Sequence, residues 1–233
     1  IDIPYHDTSN SVFYTIGSLT GIEGFINLES LKVTKQNIVG TLDLTSNPLL
    51  EYISIGSGVQ TAGNVFTSIN LSQCTNLKTL MLYDANITGG TLDLTNNQAL
   101  EYISFGRNDI GSISGLDNLP NLLSCSADDI NWNNLDLSGS DLLQSIYVKN
   151  SSNVTTTLSS TLDLTQLTNF DMMGGYQGPN NTIKVGTGYV PGTTGGSGTG
   201  SNAGLQTRVE YIVATFGSGA STPTIPANVT ITT

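Results

Sequence analysis

Apolar residues recur along this chain in a short repeated arrangement rather than in long runs. The clearest copies are GTLDLTSNPLLEYISIG at residues 40–56 and GTLDLTNNQALEYISFG at residues 90–106, which match at nearly every position. A degenerate copy, INLSQCTNLKTLML, lies between them at residues 69–82. Self-similarity at a regular spacing is typical of repeat architectures, so we predict a chain built from stacked copies of one small unit.

One leucine in each copy opens a segment in which apolar and polar residues alternate. The intervals between successive opening leucines run from 21 to 27 residues. Apolar residues stand three and five positions later, as Leu31 and Val33 do in the first copy, and this period of two indicates a strand with one buried face. We therefore predict about seven repeats, which open at Leu28, Leu50, Leu77, Leu100, Leu122, Leu143 and Leu167.

A second alternating segment recurs in the other half of the repeats. It reads TLDL, SINL or NLDL and occupies residues 41–44, 68–71, 91–94, 134–137 and 161–164, while TIKV at 182–185 closes the row. We predict that it forms a strand on another side of the coil. Since helical periodicity is absent, the predicted fold is mainly β, a solenoid with few or no helices and with β caps at its ends.

The segment LEYISFGRNDI at residues 100–110 fits the pattern L-x-x-L-x-L-x-x-N-x-[LI] when Ile103 and Phe105 stand for leucine. On this motif the chain resembles the leucine-rich-repeat family over residues 19–185. Residues 19–38 and 113–132 look like internalin-type repeats. The LDLTxNxxLEYISxG copies look like short repeats in surface proteins of Bacteroidota and of their phages. The resemblance implies a leucine-rich-repeat solenoid whose sheet serves for binding.

The pattern divides the chain into three parts. Residues 1–18 are predicted to form an N-terminal cap, residues 19–185 the solenoid, and residues 186–233 a glycine-rich loop followed by a C-terminal β cap or a junction to another module or subunit. In the last part, residues 208–216 and 228–231 have the composition of strands. Because the chain begins at Ile1, we also expect a preceding segment such as a signal peptide.

Charge and composition exclude several classes of partner. The formal net charge is −11, with only 7 Lys and Arg residues, too few to neutralise a phosphate track or to hold an anionic membrane surface. We therefore expect no nucleic acid as a partner. No apolar run approaches the roughly 18 residues of a membrane span, so we expect no membrane insertion. The abundance of Gly, Ser, Thr and Asn favours an extracellular or cell-surface location, or alternatively a virion.

The outward positions of the first strand define a candidate binding face. A tyrosine presents an apolar ring with a hydroxyl tip, which is a means of holding protein and glycan partners. The alternative is that tyrosine merely suits a strand surface. The predicted face contains four of the nine tyrosines together with a methionine and two lysines: Tyr52, Tyr83, Tyr102, Tyr147, Met81, Lys32 and Lys149.

The outward positions of the second strand define a candidate cation site. A ladder of carboxylates would attract Ca²⁺, because stacked like charges repel one another and Ca²⁺ prefers oxygen ligands. The alternative, which we favour, is that these side chains face water or accept hydrogen bonds from turn N–H groups. The column is interrupted near Ser114, and no D-x-D-x-D-G loop occurs. The carboxylates concerned are Asp43, Asp93, Asp136 and Asp163.

Catalytic chemistry finds little support in the sequence. His6 is the only histidine, and its surroundings indicate a capping turn rather than a triad. Cys125 stands at an inward position as a small hydrophobe, and Cys74 is two repeats away, too far for a disulfide. We expect no cofactor and no enzymatic activity, although a hydrolase built from the acidic residues stays open as a third hypothesis.

Two functions are left as the main hypotheses. The first is a non-enzymatic extracellular recognition or adhesion module, which binds a protein or glycan on a cell surface through the outward face of the repeat sheet. The second is a structural virion component, a phage fibre or decoration protein, that contributes to assembly or host attachment. The strand-forming C-terminus would then associate with another subunit.

Overall fold

The computed structural model describes residues 1–3, 6–7, 12–13, 16–34, 36–56, 64–88, 90–130, 132, 134–148, 151, 154–159, 162, 169–171, 181–184 and 229–232. The chain is mainly β with almost no helix, and its strands are arranged as a β-solenoid of about 5 turns. This confirms the predicted fold class. The chain divides into two compact units, Ile1–Leu119 and Pro120–Thr233.

The first unit contains eleven of the described strands and two short 3₁₀ helices. The helices are η1 (Ile22–Gly24) and η2 (Leu116–Asn118). The strands, in chain order, are β1 (Asp2–Ile3), β2 (His6–Asp7), β3 (Val12–Phe13), β4 (Ser30–Val33), β5 (Val39–Asp43), β6 (Tyr52–Ser54), β7 (Val65–Asn70), β8 (Thr79–Met81), β9 (Thr91–Asp93), β10 (Tyr102–Ser104) and β11 (Ser112–Ser114).

The main sheet of the first unit has the parallel order β1-β4-β6-β8-β10, so that strands from successive repeats are neighbours. The register is continuous from β4 to β10, and each inward residue pairs with its counterpart in the next repeat. That inward column is almost completely buried and consists of Leu31, Ile53, Leu80 and Ile103. The repeat pattern therefore predicted the strands, their order and their buried face.

The second side of the first unit has shorter parallel ladders. Strand β5 pairs with β7, with a shift in register between Gly40 and Thr41, and β9 pairs with β11. Single bridges join Phe66 to Ile87 and Thr88 to Asp109. The predicted strands at residues 41–44, 68–71 and 91–94 are thus confirmed as β5, β7 and β9. Strand β11 carries no Asp and does not fit the TLDL-type pattern, so the sequence analysis did not predict it.

The N-terminal residues pair with the first repeat. Strand β1 lies parallel to β4, where the amide of Lys32 donates to the carbonyl oxygen of Ile1 over 2.8 Å. The terminal ammonium of Ile1 donates to the carbonyl oxygen of Ser30 over 2.7 Å. Strands β2 and β3 form an antiparallel pair. The residues expected to cap the solenoid therefore extend its main sheet by one strand.

Two buried side-chain amides, those of Asn47 and Asn97, bond to the backbone of the preceding turn at one corner of the coil. Asn47 is fully buried, and its Nδ2 donates to the carbonyl oxygens of Ile22 and Phe25, each over 2.9 Å. One repeat later its position is taken by Cys74, and two repeats later by Asn97. The amide of Asn97 donates to two carbonyls of the repeat before it, over 2.9 and 3.1 Å. Each corner thereby satisfies backbone acceptors that the core would otherwise leave unpaired.

A second asparagine ladder connects the opposite corners. The Oδ1 atom of Asn108 accepts from two backbone amides of the preceding repeat, and its Nδ2 donates to carbonyls of both repeats. Asn64, two repeats earlier, makes four equivalent bonds, over 2.9 to 3.3 Å. Asn108 stands at the Asn position of the L-x-x-L-x-L-x-x-N motif. Asn64 fills the same role in its own repeat although it lies six residues further from the opening leucine.

The second unit contains the remaining described strands, and these are parallel as well. One ladder has the order β12-β14-β16 and the other has the order β13-β15-β17-β18. The strands are β12 (Ser124–Ser126), β13 (Asn134–Leu137), β14 (Ser145–Tyr147), β15 (Thr155–Leu158), β16 (Asn169–Asp171), β17 (Asn181–Lys184) and β18 (Val229–Thr232). Strands β13, β17 and β18 confirm the predictions at residues 134–137, 182–185 and 228–231.

One expectation needs correction, and another falls outside the described residues. The place between β13 and β17 is taken by β15, which begins twelve residues after Leu143. The TLDL copy at 161–164, also predicted as a strand of this side, lies outside the described residues except for Leu162. The solenoid has about 5 turns rather than seven. A strand begins two residues after each of the seven opening leucines, but the connections of the last two repeats lie largely outside the described residues. The predicted strand at 208–216 and the glycine-rich loop lie there as well.

Candidate binding face

The register of the first unit brings part of the predicted face together. Tyr52 and Tyr102 both pair with Thr79 of the strand between them, so that ring, hydroxyl and ring form one outward column. Tyr102 is 42% exposed, and Tyr52 is partly exposed. Met81 stands two residues beyond Thr79 in the next outward column and is 38% exposed. Lys32 is exposed in that same column, on β4.

Tyr83 occupies a different position from the other tyrosines. Strand β8 ends at Met81, and Tyr83 lies in the turn that follows. The guanidinium carbon of Arg107, from the equivalent turn one repeat later, stands 5.5 Å from the centroid of the Tyr83 ring. This cation–π contact holds the ring at the margin of the sheet. The sequence pattern placed Tyr83 on the sheet because it assumed that the strand extends two residues further.

A row of charged residues forms the opposite margin of this face and was not predicted. These residues directly follow the opening leucines, a recurrence that the sequence does show. The Nζ atom of Lys78 is 2.9 Å from Oε2 of Glu51. The hydrogen bond and charge of Glu51, with a contribution from Glu101, raise the pKa of Lys78 above its ordinary value. The residues of this margin are Glu29, Glu51, Lys78 and Glu101. Because the charge of Lys78 is neutralised by its ion pair with Glu51, the margin has a net negative charge.

The second unit carries the remaining members of the predicted face. Tyr147 is partly exposed at the end of β14, in register with Ser126 and Asp171 of the neighbouring strands. Within this unit Tyr147 therefore has no second ring in its described column. Lys149 lies outside the described residues.

The carboxylates proposed as a Ca²⁺ ladder do not stack on one another in the described strands. Each is paired in register with a residue that is not acidic: Asp43 with Asn70, Asp93 with Ser114, and Asp136 with Thr157. Asp163 lies outside the described residues. The repulsion that a cation would relieve is thus absent from these pairs. Within the described part of the chain, no group of three or more His, Cys, Asp or Glu residues is placed to hold a metal ion.

These side chains shape the corner of the coil instead. Oδ1 of Asp43, Asp93 and Asp136 accepts the backbone N–H two residues later, over 3.0 to 3.1 Å. Asn70 does the same for Ser72 over 3.2 Å. Such turns fix the direction of the chain where a strand ends. The described members of this column therefore accept turn N–H groups, which is the role that the alternative interpretation gives them.

Asp93 allows a test of this corner. The backbone N–H of Thr95, the Thr95 hydroxyl and the Ser114 hydroxyl all donate to Asp93 and hold its pKa below the ordinary value. A lowered folded-state pKa contributes stability above the unfolded pKa, about 3.9, and this contribution is lost as the pH falls through the folded-state pKa. We expect Thr95→Ala/Ser114→Ala to raise the pKa of Asp93 in an NMR titration.

The matched control for that titration is Ser112→Ala. The Ser112 hydroxyl lies 2.9 Å from Oγ1 of Thr91 and gives no bond to Asp93. This variant should leave the pKa of Asp93 where it is. An unchanged Asp93 pKa in the double variant would contradict the assigned hydrogen bonds.

The two cysteines are buried, and their surroundings favour the protonated thiol. Both are free and buried, which confirms the expectation that they form no disulfide. Burial, with a smaller contribution from Asp43, raises the pKa of Cys74 to about 11, and burial with Asp128 raises that of Cys125 to about 12.

The thiolate is the reactive form of a cysteine, so a raised pKa lowers its reactivity at neutral pH. We expect iodoacetamide at neutral pH to leave both thiols unmodified in native protein and to modify both in urea, as read by intact mass. Rapid native labelling of either thiol would contradict their placement.

The described residues contain no helix long and apolar enough to cross a membrane. The arrangement defines a β-solenoid with an exposed sheet face that carries rings, hydroxyls and an acidic margin. No protein-family model matches the chain, and no curated protein matches it either.

Proposed function

We propose that this protein is a non-enzymatic recognition module of the leucine-rich-repeat type, acting outside the cell or at its surface. The outward face of its main sheet binds a protein or glycan on a cell surface. The observation that carries the proposal is the column in which Tyr52 and Tyr102 flank Thr79 in fixed register. Rings held by a rigid sheet lose little conformational entropy on binding, which favours their use as anchors.

The repeat pattern supports the family part of this proposal. In the first unit, each opening leucine is followed by a short strand whose buried residues pair in register with those of its neighbour, and Asn108 bonds to the backbone in its turn. These are the roles that the L-x-x-L-x-L-x-x-N motif implies. The two cysteine thiols are buried and their pKa values are raised, so neither is suited to act as a catalytic nucleophile.

A cell-binding assay tests the function. Labelled intact chain is added to a panel of bacterial and eukaryotic cells, and bound label is measured by flow cytometry. Tyr52→Ala/Tyr102→Ala should lower binding at least about tenfold, the effect of losing about 1.4 kcal/mol. Val39→Ala is the control, because Val39 is 71% exposed on β5, on the second side of the coil. Equal binding by the double variant and the wild type would remove this face as the recognition surface.

A virion component is the second candidate, and the C-terminal strand favours it. Strand β18 is the last in its described sheet and pairs with β17 alone. An edge strand offers backbone donors and acceptors that a strand of another subunit would satisfy. Light scattering should then show a stable oligomer that dissociates when residues 229–232 are deleted. A strict monomer would count against this candidate.

A further inference from the structure

The ligand class of the proposed face follows from its dimensions. Strands β6, β8 and β10 have three residues each and β4 has four, so the exposed strip of the first unit is about 10 Å wide along the strands. With β1, which pairs with β4, the main sheet of this unit has five strands, and a spacing of about 4.8 Å gives it a length of about 24 Å. The projected area, about 240 Å², is far below the roughly 800 Å² per partner of a standard protein interface. The strip fits an extended, chain-like ligand better than a folded protein.

The spacing of the rings indicates how such a ligand would lie. Tyr52 and Tyr102 are two strands apart, which places them about 10 Å from each other in one line across the strands. Thr79 presents a hydroxyl between them. A ligand that runs across the strands therefore meets ring, hydroxyl and ring in succession. Linear β-linked sugars have this alternation, because each pyranose has C–H groups that stack on an aromatic ring and hydroxyls that hydrogen-bond at its rim.

The charges along the strip decide which sugars it accepts. The margin beside the rings carries Glu51 and Glu101, with Lys78 engaged by Glu51. Carboxylates accept hydrogen bonds from sugar hydroxyls and repel anionic groups. The formal net charge of −11 adds to this repulsion at longer range. An uncharged chain is thus favoured over a uronate or a sulfated polymer.

We infer that the Tyr52–Thr79–Tyr102 column binds an uncharged, linear, β-linked glycan that lies across the strands. One sugar unit stacks on each tyrosine, and the hydroxyls between them contact Thr79 and the acidic margin. This inference rests on the proposed recognition function and specifies its ligand.

Calorimetric titration of the intact chain with cellohexaose and chitohexaose tests the inference. At least one of them should bind, cellobiose or chitobiose should bind at least about tenfold more weakly because it reaches only one ring, and oligogalacturonate should not bind. Tyr52→Ala and Tyr102→Ala should each weaken binding about tenfold. Tyr102→Phe should stay within about threefold of the wild type, because it keeps the ring. The melting temperature of each variant shows that it is folded.

The outcomes separate this inference from the function on which it rests. Neutral glycan binding that is lost in both alanine variants and kept in Tyr102→Phe supports both. If no neutral oligosaccharide binds but cell binding still depends on the two tyrosines, the ligand class is wrong, a peptide or protein is indicated, and the function stands. If glycan binding is unaffected by the tyrosines, the column is not the site. If neither cells nor glycans are bound, both proposals fail.

Discussion

Replacing Gly115 with alanine is expected to lower the free energy of unfolding by about 2–5 kcal/mol. The added Cβ would stand 2.6 Å from the backbone nitrogen of Thr95 and 2.8 Å from the carbonyl carbon of Leu94, in the preceding repeat. Neither backbone atom can move aside without opening the coil, a cost of about 1–3 kcal/mol. The φ angle of +78° adds about 1–2 kcal/mol for any residue with a Cβ.

Gly21 supplies the matched control for this substitution. It precedes η1 as Gly115 precedes η2, and its φ of +98° is also left-handed, but a Cβ there meets no other described atom within 4 Å. Gly21→Ala should therefore cost only the conformational part, about 1–2 kcal/mol. Urea denaturation of the two variants measures the difference. Equal losses would show that the repeats do not approach each other as closely as described.

Replacing Asn64 with alanine is expected to cost about 3 kcal/mol or more. The side chain is 2% exposed, and its four hydrogen bonds connect two repeats at their corner. Its loss leaves two backbone N–H groups and two carbonyls without this partner, and each buried unpaired group costs about 1–3 kcal/mol before relaxation or entry of water. The melting temperature should fall by about 6–12 °C, at 2–4 °C for each kcal/mol.

Asn108→Ala and Asn96→Ala complete the Asn64 experiment. Asn108 makes the equivalent bonds and should show a similar loss. Asn96 is exposed and donates one bond to the carbonyl of Ser72, so its replacement should change stability by less than about 0.5 kcal/mol. Thermal denaturation of the three variants gives the comparison. A mild effect at Asn64 with a large effect at Asn96 would refute the asparagine ladder.

The main sheet could be predicted from the sequence because the residues that form it follow a short pattern that recurs in every repeat. A leucine every two dozen residues, followed by two inward residues, determines which side chains need burial, and only stacking buries them. The second side was harder to predict, since its strands carry few apolar residues. β11 and β15 have Ser or Thr where β5, β9 and β13 have Asp, so the TLDL-type pattern of the sequence did not reveal them.

The candidate site could be predicted only in part for a related reason. Periodicity identified the outward positions, so Tyr52, Tyr102 and Met81 were found. It did not determine where each strand ends, and Tyr83 was placed on the sheet although it lies in the turn. Nor did it show which neighbours an outward residue meets. The register showed that each described Asp of the second side faces an uncharged residue, which removes the premise of a cation ladder there.

Engineered disulfides test the in-register stacking of repeats most directly. Ser54 pairs with Met81 on the neighbouring strand, where the Cα atoms of a parallel pair are about 4.8 Å apart, within the range that a disulfide bridges. Ser104 lies one strand further, about 9.6 Å from Ser54, which is too far. Mass spectrometry after mild oxidation should find the cross-link in Ser54→Cys/Met81→Cys and none in Ser54→Cys/Ser104→Cys. A cross-link in the second variant but not in the first would contradict the stacking on which the binding face depends.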